Sequence, residues 1–192
     1  MTAAPVVLVP PKYTTRIRWA DPVNYSRMRR NPTLIVLHST EGGEGDGATD
    51  DNVAAGIAKP KPAGKRTSFH AVVDGDSVTL CVPYMLTAWH AGHTANLIGI
   101  GVEICGRASQ TRDQWLDDVS ARTLGIAARL VAELCVEFRI PTTYLDAVAL
   151  NAGVPRGITM HRDVSAAWRE STHTDPGPGF PIAEFITAVR SV

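Results

Sequence analysis

The chain has 192 residues, which is enough for one domain with a substantial core. Apolar residues make up 44% and charged residues 20%, as is typical of a globular protein. Nineteen basic and nineteen acidic residues cancel, so the composition gives no support for a nucleic-acid partner or an anionic membrane surface. No apolar run is long enough to span a membrane, and residues 1–7 lack the features of a signal peptide. We therefore expect synthesis in the cytoplasm.

Hydrophobic periodicity and turn residues predict strands and helices that mix without regular alternation. In chain order, the predicted elements are a buried strand at Thr33–Leu37, a short helix at Asp50–Ala58, a hairpin of Ser68–Val73 and Ser77–Val82, a strand at Leu97–Cys105, a long helix at Thr111–Phe138, a shorter helix at Thr142–Leu150, a strand at Gly157–Met160 and a final helix at Ile182–Val189. The pattern predicts an α/β fold in which a mixed central β-sheet is flanked by helices.

The segments around these elements are less regular. Residues 1–32 contain several prolines and are predicted to form an irregular N-terminal strap packed on a single globular domain at 33–192. An acidic, glycine-rich loop at 41–47 and a basic, proline-rich loop at 59–66 flank the first predicted helix. Three cysteines lie in apolar runs at wide spacing, which predicts buried free thiols rather than disulfides: Cys81, Cys105 and Cys135.

Two predicted strands end at histidines, and a carboxylate lies in a constrained turn. His38 follows Leu34–Leu37, His161 follows Gly157–Met160, and Asp175 precedes Pro-Gly-Pro. Three protein ligands with a fourth position left for water are what a catalytic zinc site needs. The alternative is that both histidines are structural and that Asp175 only caps a turn.

The strand at Leu97–Cys105 has two different faces, because side chains alternate along a strand. One face is apolar and should pack on a helix, whereas the other carries two glycines and Glu103. Beside a zinc ion, Glu103 can take a proton from water and pass it to a leaving amine. The alternative is a carboxylate paired with a basic neighbour. His173 lies two residues before Asp175 and is either an oxyanion donor or an exposed loop residue.

Six motifs in this order resemble the N-acetylmuramoyl-L-alanine amidase type 2 family, which also includes peptidoglycan recognition proteins and many phage endolysins. They are Leu34–Thr40, Ser68–Gly75, Ala88–Gly92, Ile100–Glu103, Gly157–Asp163 and Thr174–Pro178. The resemblance runs from about Thr33 to Val189. It implies a mixed sheet with helices on its faces, and cleavage of the amide between the muramic acid lactyl group and L-alanine in peptidoglycan.

The resemblance also implies roles for particular residues. His38, His161 and Asp175 match the zinc ligands, and Glu103 matches the catalytic glutamate. His173 stands where many members carry a lysine, so it is the candidate for stabilising the transition state although its charge is only partial at neutral pH.

Other matched positions concern the substrate. Phe69 stands where some members carry a catalytic tyrosine, so Glu103 has to serve without that hydroxyl. Trp89 and His90 match a substrate-groove motif, although Trp89 could equally belong to the core. The remaining substrate-binding candidates are Thr174 and His70, and for His70 a structural role is the alternative.

These residues favour a monomeric zinc amidase acting on peptidoglycan or muropeptides. One alternative is a recognition module that binds peptidoglycan without cleaving it, but such members typically lack a metal ligand. Another is a zinc peptidase that cuts within the stem peptide. The two elaborated loops favour a phage lysin, which would act on the cell wall, over a cytoplasmic amidase that recycles muropeptides.

Overall fold

A computed structural model describes residues 7–28, 31–45, 49–153 and 156–192. Parts of the predicted strap and acidic loop, residues 1–6, 29–30 and 46–48, lie outside the described residues. The strands are β1 Thr14–Ile17, β2 Tyr25–Ser26, β3 Leu34–Ser39, β4 Ala71–Val73, β5 Ser77–Leu80, β6 Thr87–Ala88, β7 Gly99–Ile104 and β8 Gly157–Met160. The helices are α1 Thr49–Ala55, α2 His93–Ile98, α3 Arg112–Trp115, α4 Asp118–Phe138, α5 Ala147–Asn151, α6 His161–Trp168 and α7 Ile182–Arg190, with a 3₁₀ turn at Pro22–Asn24.

Six strands form a mixed sheet in the order β1-β5-β4-β7-β3-β8. Strands β4, β7, β3 and β8 run parallel to one another, and β5 runs antiparallel to β4. The carboxyl ends of four neighbouring strands therefore meet at one edge. A separate two-stranded antiparallel ladder joins β2 to β6. The predicted mixed sheet flanked by helices is confirmed.

Helices cover both faces of this sheet because the strand side chains alternate between them. Ile35 and Leu37 of β3 belong to the core cluster that includes α4 and α7. Leu34 and Val36 belong to the opposite cluster, with residues of α2, α5 and α6. His38 continues the second set, so its side chain leaves the sheet on the face away from α4. The three cysteines are buried and free, as predicted.

The N-terminal segment is more regular than predicted. Thr14–Ile17 pairs in parallel with Ser77–Leu80 and forms an edge of the main sheet. Tyr25–Ser26 also forms a strand, paired with Thr87–Ala88. Most of β1 is exposed, so its sequence lacks the apolar alternation by which a strand is recognised.

Local capping moves three predicted boundaries. Leu97 and Ile98 end α2 instead of beginning β7, with Gly99 as the cap. Asp117 accepts hydrogen bonds from two amides at the start of α4 and so divides the predicted long helix into α3 and α4. Asp146 caps α5 in the same way, so residues 142–146 precede the helix. Thr111 and Gln114 form a capping box at the start of α3.

A buried polar network fixes α1 to the sheet. The Asp50 carboxylate is fully buried and accepts hydrogen bonds from Thr79 Oγ1 at 2.7 Å, Ser77 Oγ at 3.1 Å and Arg16 Nη1 at 3.2 Å. The backbone N–H of Asp50 donates to Asp74 Oδ2. Strands β1 and β5 and helix α1 are thereby joined through one carboxylate. No helix in the described residues has the length and apolar character needed to cross a membrane.

Replacing Asp50 with alanine should lower the free energy of unfolding by about 3 kcal/mol, because several buried donors lose their acceptor. The matched control is Asp51→Ala at the next position, which removes a partly exposed ion pair with Arg18 and should cost less than about 1 kcal/mol. Urea unfolding of the two variants measures both values. Equal losses would contradict the role given to the Asp50 network.

Candidate active site

The carboxyl edge of the parallel strands brings three predicted site residues together. His38 lies at the end of β3 and pairs in register with Glu103 of β7, so both side chains project from the same face of the sheet. His161 directly follows β8 and is the first residue of α6. His161 follows its strand as predicted, whereas His38 is the penultimate residue of β3, which extends to Ser39.

A tight turn carries Asp175 to the same place. The backbone N–H of Arg162 donates to the Asp175 carbonyl, and its guanidinium donates to the carbonyl of Gly177. Gly177 adopts φ +86° and donates its N–H to the Thr174 carbonyl. A Cβ atom at position 177 would collide with the Ala108 backbone. Glycine is therefore required for the turn that aims Asp175 at the edge of the sheet.

Two imidazole nitrogens face one carboxylate at this point. The Nδ1 atom of His38 lies 3.1 Å from Asp175 Oδ2, and the Nδ1 atom of His161 lies 3.1 Å from Asp175 Oδ1. All three residues are buried, and their ligand atoms lie within 4.8 Å of one another. Burial lowers the pKa of His38 despite the nearby carboxylate of Asp175. Burial opposes ionisation of Asp175, but the close contacts with the rings of His161 and His38 hold the pKa of this carboxyl group below the usual range.

This donor set fits zinc. Neutral imidazole and carboxylate are zinc ligands, and bonds of about 2.0–2.1 Å in a tetrahedron place neighbouring donor atoms roughly 3.3 Å apart. The two contacts of 3.1 Å are close to that spacing. The outer nitrogens of both rings have polar neighbours: His38 Nε2 lies 3.0 Å from His90 Nδ1, and His161 Nε2 lies 2.9 Å from Ser171 Oγ. Such neighbours orient the ligating imidazoles of metal sites.

Glu103 lies beside this cluster without a charged partner. It is half-buried, and no described residue forms a hydrogen bond or an ion pair with its carboxylate. Burial, with further contributions from the negative charges of Asp175 and Glu41, raises the pKa of Glu103 well above its usual value. Among the described residues, Glu103 therefore has no basic partner, contrary to the alternative interpretation. Such a carboxyl group is suited to general acid–base chemistry.

His173 lies at the rim of the site. Its ring stacks on His161 with centroids 4.8 Å apart, and its Nδ1 atom lies 3.6 Å from Asp175 Oδ1. Its side chain is 69% exposed. The ring can therefore reach both the buried donor atoms and a molecule bound above them.

A groove of about 330 Å³ contains the cluster. Its walls include all five of these site residues together with His90 and Phe69, as well as positions that the sequence did not single out: Val53, Gly56, Ile57, Lys61 and Thr67. A second cavity of about 470 Å³ shares His90, His161 and His173 and is otherwise lined by Gly92 and by residues 169–172. The two cavities share these three histidines in their walls and are therefore adjacent.

The structure does not bring the other predicted substrate residues into this groove. His70 is fully buried, accepts a hydrogen bond from the Gly101 N–H at Nδ1 and donates from Nε2 to the Leu86 carbonyl. A substrate cannot reach a buried ring, so the substrate-binding assignment of His70 is wrong and its structural alternative holds. Trp89 is half-buried and Thr174 is exposed on the turn, and neither lines the two cavities.

A family model described as N-acetylmuramoyl-L-alanine amidase matches residues 28–178. The chain belongs to this amidase family. The matched range contains every residue of the cluster, from His38 to Asp175, and membership supports N-acetylmuramoyl-L-alanine amidase activity with peptidoglycan as the substrate. No curated protein matches the sequence significantly.

Solved structures share the amidase fold with this chain. The catalytic domain of XlyA is 20% identical with a TM-score of 0.66, and the match covers 92% of this chain and 99% of that one. Staphylococcus aureus hydrolase AmiA, solved with its ligand, is 18% identical with a TM-score of 0.65, covering 95% and 83%. A derivative of AmpD is 24% identical with a TM-score of 0.61, covering 91% and 94%. At these identities the likeness shows the fold alone.

Proposed function

We propose that the chain is a zinc-dependent amidase that hydrolyses the bond between the lactyl group of N-acetylmuramic acid and L-alanine in peptidoglycan. The observation that carries the proposal is the convergence of His38, His161 and Asp175 beside the unpaired carboxyl group of Glu103. His38, His161 and Asp175 would hold the zinc ion. When bound, zinc supplies Lewis acidity toward the scissile carbonyl and toward water.

Glu103 is the proposed general base and then general acid. It projects from the same face as His38 and has no described partner, so its carboxyl group is available to a water molecule in the groove. It would take the proton of the attacking water and deliver it to the nitrogen of the departing alanine. Phe69 lines the groove without a hydroxyl group, which leaves this proton transfer to Glu103.

His173 is the proposed donor to the oxyanion that develops on the carbonyl oxygen. Its ring stands over the donor atoms and is exposed toward the groove, as such a donor requires. His90 lines both cavities and is a candidate for contact with the substrate. Trp89 and Thr174 are further candidates, because each is the direct chain neighbour of a residue that lines the groove.

A module that binds peptidoglycan without cleaving it is the principal alternative from another class. The complete donor set and the unpaired Glu103 favour hydrolysis, since binding alone requires neither. A zinc peptidase would use the same cluster, and the family match favours the amidase reaction.

The biological role that we propose is cell-wall lysis as a phage lysin. The structural relatives include a mutant endolysin from Bacillus subtilis, with a TM-score of 0.67 and 19% identity, covering 93% of this chain and 99% of that one. The basic loop at 59–66 contributes Lys61 to the groove and so enlarges its wall beyond the zinc cluster. The alternative is a recycling amidase that acts on soluble muropeptides.

Purified protein should contain about one zinc ion per chain. Chelation should abolish release of alanine-linked peptide from muropeptides, and added zinc should restore it. Asp175→Ala should lose zinc, because it removes the carboxylate that both imidazoles face, whereas Asp113→Ala on the exposed start of α3 should keep it. Metal analysis and peptide release measure these outcomes. A zinc-free protein that still binds peptidoglycan would favour the recognition module.

Glu103→Gln should keep its zinc and lose about 10²–10⁴-fold in kcat, because the amide side chain cannot accept the proton of water. Glu137→Gln, at an exposed position on α4, is the matched control and should leave kcat unchanged. Muropeptide kinetics and metal content are measured on the same preparations. An active Glu103→Gln enzyme would exclude the general-base assignment.

The lysin role predicts that the enzyme cleaves intact peptidoglycan as well as fragments. Turbidity of isolated cell walls should fall on addition of the enzyme, and should not fall with the Asp175→Ala variant. Soluble muropeptides are assayed in parallel. Cleavage of the soluble fragments alone would support the recycling amidase instead.

A further inference from the structure

His90 lies in a recess that determines its orientation. The backbone N–H groups of His90 and Ala91 both donate to Asn96 Oδ1, at 2.8 and 2.9 Å. The ring packs on Gly101, where a Cβ atom would lie 2.7 Å from Cγ of His90. This neighbouring strand position therefore admits only glycine while the ring is in place. The imidazole is thus held from the backbone side and from the sheet side.

The neighbours of this ring determine which nitrogen carries the proton. His90 Nε2 lies 3.3 Å from the carbonyl oxygen of Gly99, which can only accept a hydrogen bond. Nε2 is therefore the protonated nitrogen, and in the neutral ring Nδ1 is an acceptor. That acceptor lies 3.0 Å from His38 Nε2. Hence His38 is the donor in this contact and carries its own proton on Nε2.

A proton on Nε2 leaves the Nδ1 lone pair of His38 directed at the Asp175 carboxylate, 3.1 Å away. Two electron-rich atoms at this distance repel each other unless a cation lies between them. We infer that His90 is a positioning residue that fixes His38 in the tautomer whose Nδ1 atom binds zinc. The inference rests on the proposed zinc centre, and it assigns His90 a role beyond contact with the substrate.

Nitrogen NMR of the zinc-loaded, ¹⁵N-labelled wild-type protein tests the hydrogen-bond chain directly. We expect a protonated Nε2 and a zinc-bound Nδ1 on His38, with an unprotonated Nδ1 on His90. A scalar coupling across the hydrogen bond should join His38 Nε2 to His90 Nδ1. A proton on His90 Nδ1, or zinc bound through His38 Nε2, would overturn the inference.

Two substitutions of similar shape separate the acceptor from the bulk of the ring. His90→Asn places an oxygen near the position of Nδ1 and should keep most of the zinc affinity. His90→Leu has no acceptor and should weaken zinc binding by about 10–100-fold. His93→Leu, an exposed histidine nearby, is the control and should bind zinc as the wild type does. Competition with a chromogenic chelator measures the affinities.

The outcomes separate this inference from the proposed function. Equal zinc affinity in all variants, with only KM raised, would assign His90 to substrate contact and overturn the inference. Equal losses in His90→Asn and His90→Leu would indicate a steric role and would also overturn it. Zinc uptake with the expected coupling, but without muropeptide cleavage, would defeat the amidase proposal and leave the His90 assignment standing. Failure of the wild type to take up zinc would defeat both.

Discussion

Two buried imidazole nitrogens and a buried carboxylate face one another at the carboxyl edge of the sheet, and the rest of the site depends on this arrangement. Electron-rich groups out of contact with water repel one another unless a cation is present. A protein that places His38, His161 and Asp175 together therefore has to hold each group in position. The polar neighbours of the outer ring nitrogens, His90 and Ser171, hold the two histidines.

The fold supplies that restraint through elements far apart in the sequence. Parallel pairing of β3, β7 and β8 brings His38, Glu103 and His161 to one edge, and the turn at Gly177 adds Asp175. On the sheet face opposite α4, Gly99 and Gly101 leave room for the ring of His90. The Asp50 network holds α1, whose end forms part of the groove wall, against the sheet. The Asp50 network therefore contributes both to the stability of the fold and to the shape of the groove.

The features that depend on local sequence pattern, including the site cluster, were predictable from the sequence. Apolar runs ending at His38 and His161, and the rigid turn at Asp175, indicated the cluster because each signal lies within a few residues. The edge strand β1 was not predicted, because an exposed strand is defined by its partner β5 rather than by its own residues. The structural and substrate-binding interpretations of His70 could not be separated from the sequence for the same reason. Its two hydrogen-bond partners, Gly101 N–H and the Leu86 carbonyl, come from segments remote in the sequence.

An anomalous difference map from crystals of the purified protein, recorded on both sides of the zinc absorption edge, tests the proposed zinc centre directly. We expect one zinc peak bounded by His38 Nδ1, His161 Nδ1 and an Asp175 carboxylate oxygen, with the Glu103 carboxyl group facing it. Absence of a peak from crystals grown with zinc, with the three side chains still in contact, would contradict this expectation. The cluster would then be a structural hydrogen-bond network, and the site would lack the zinc ion on which the proposed amidase chemistry depends.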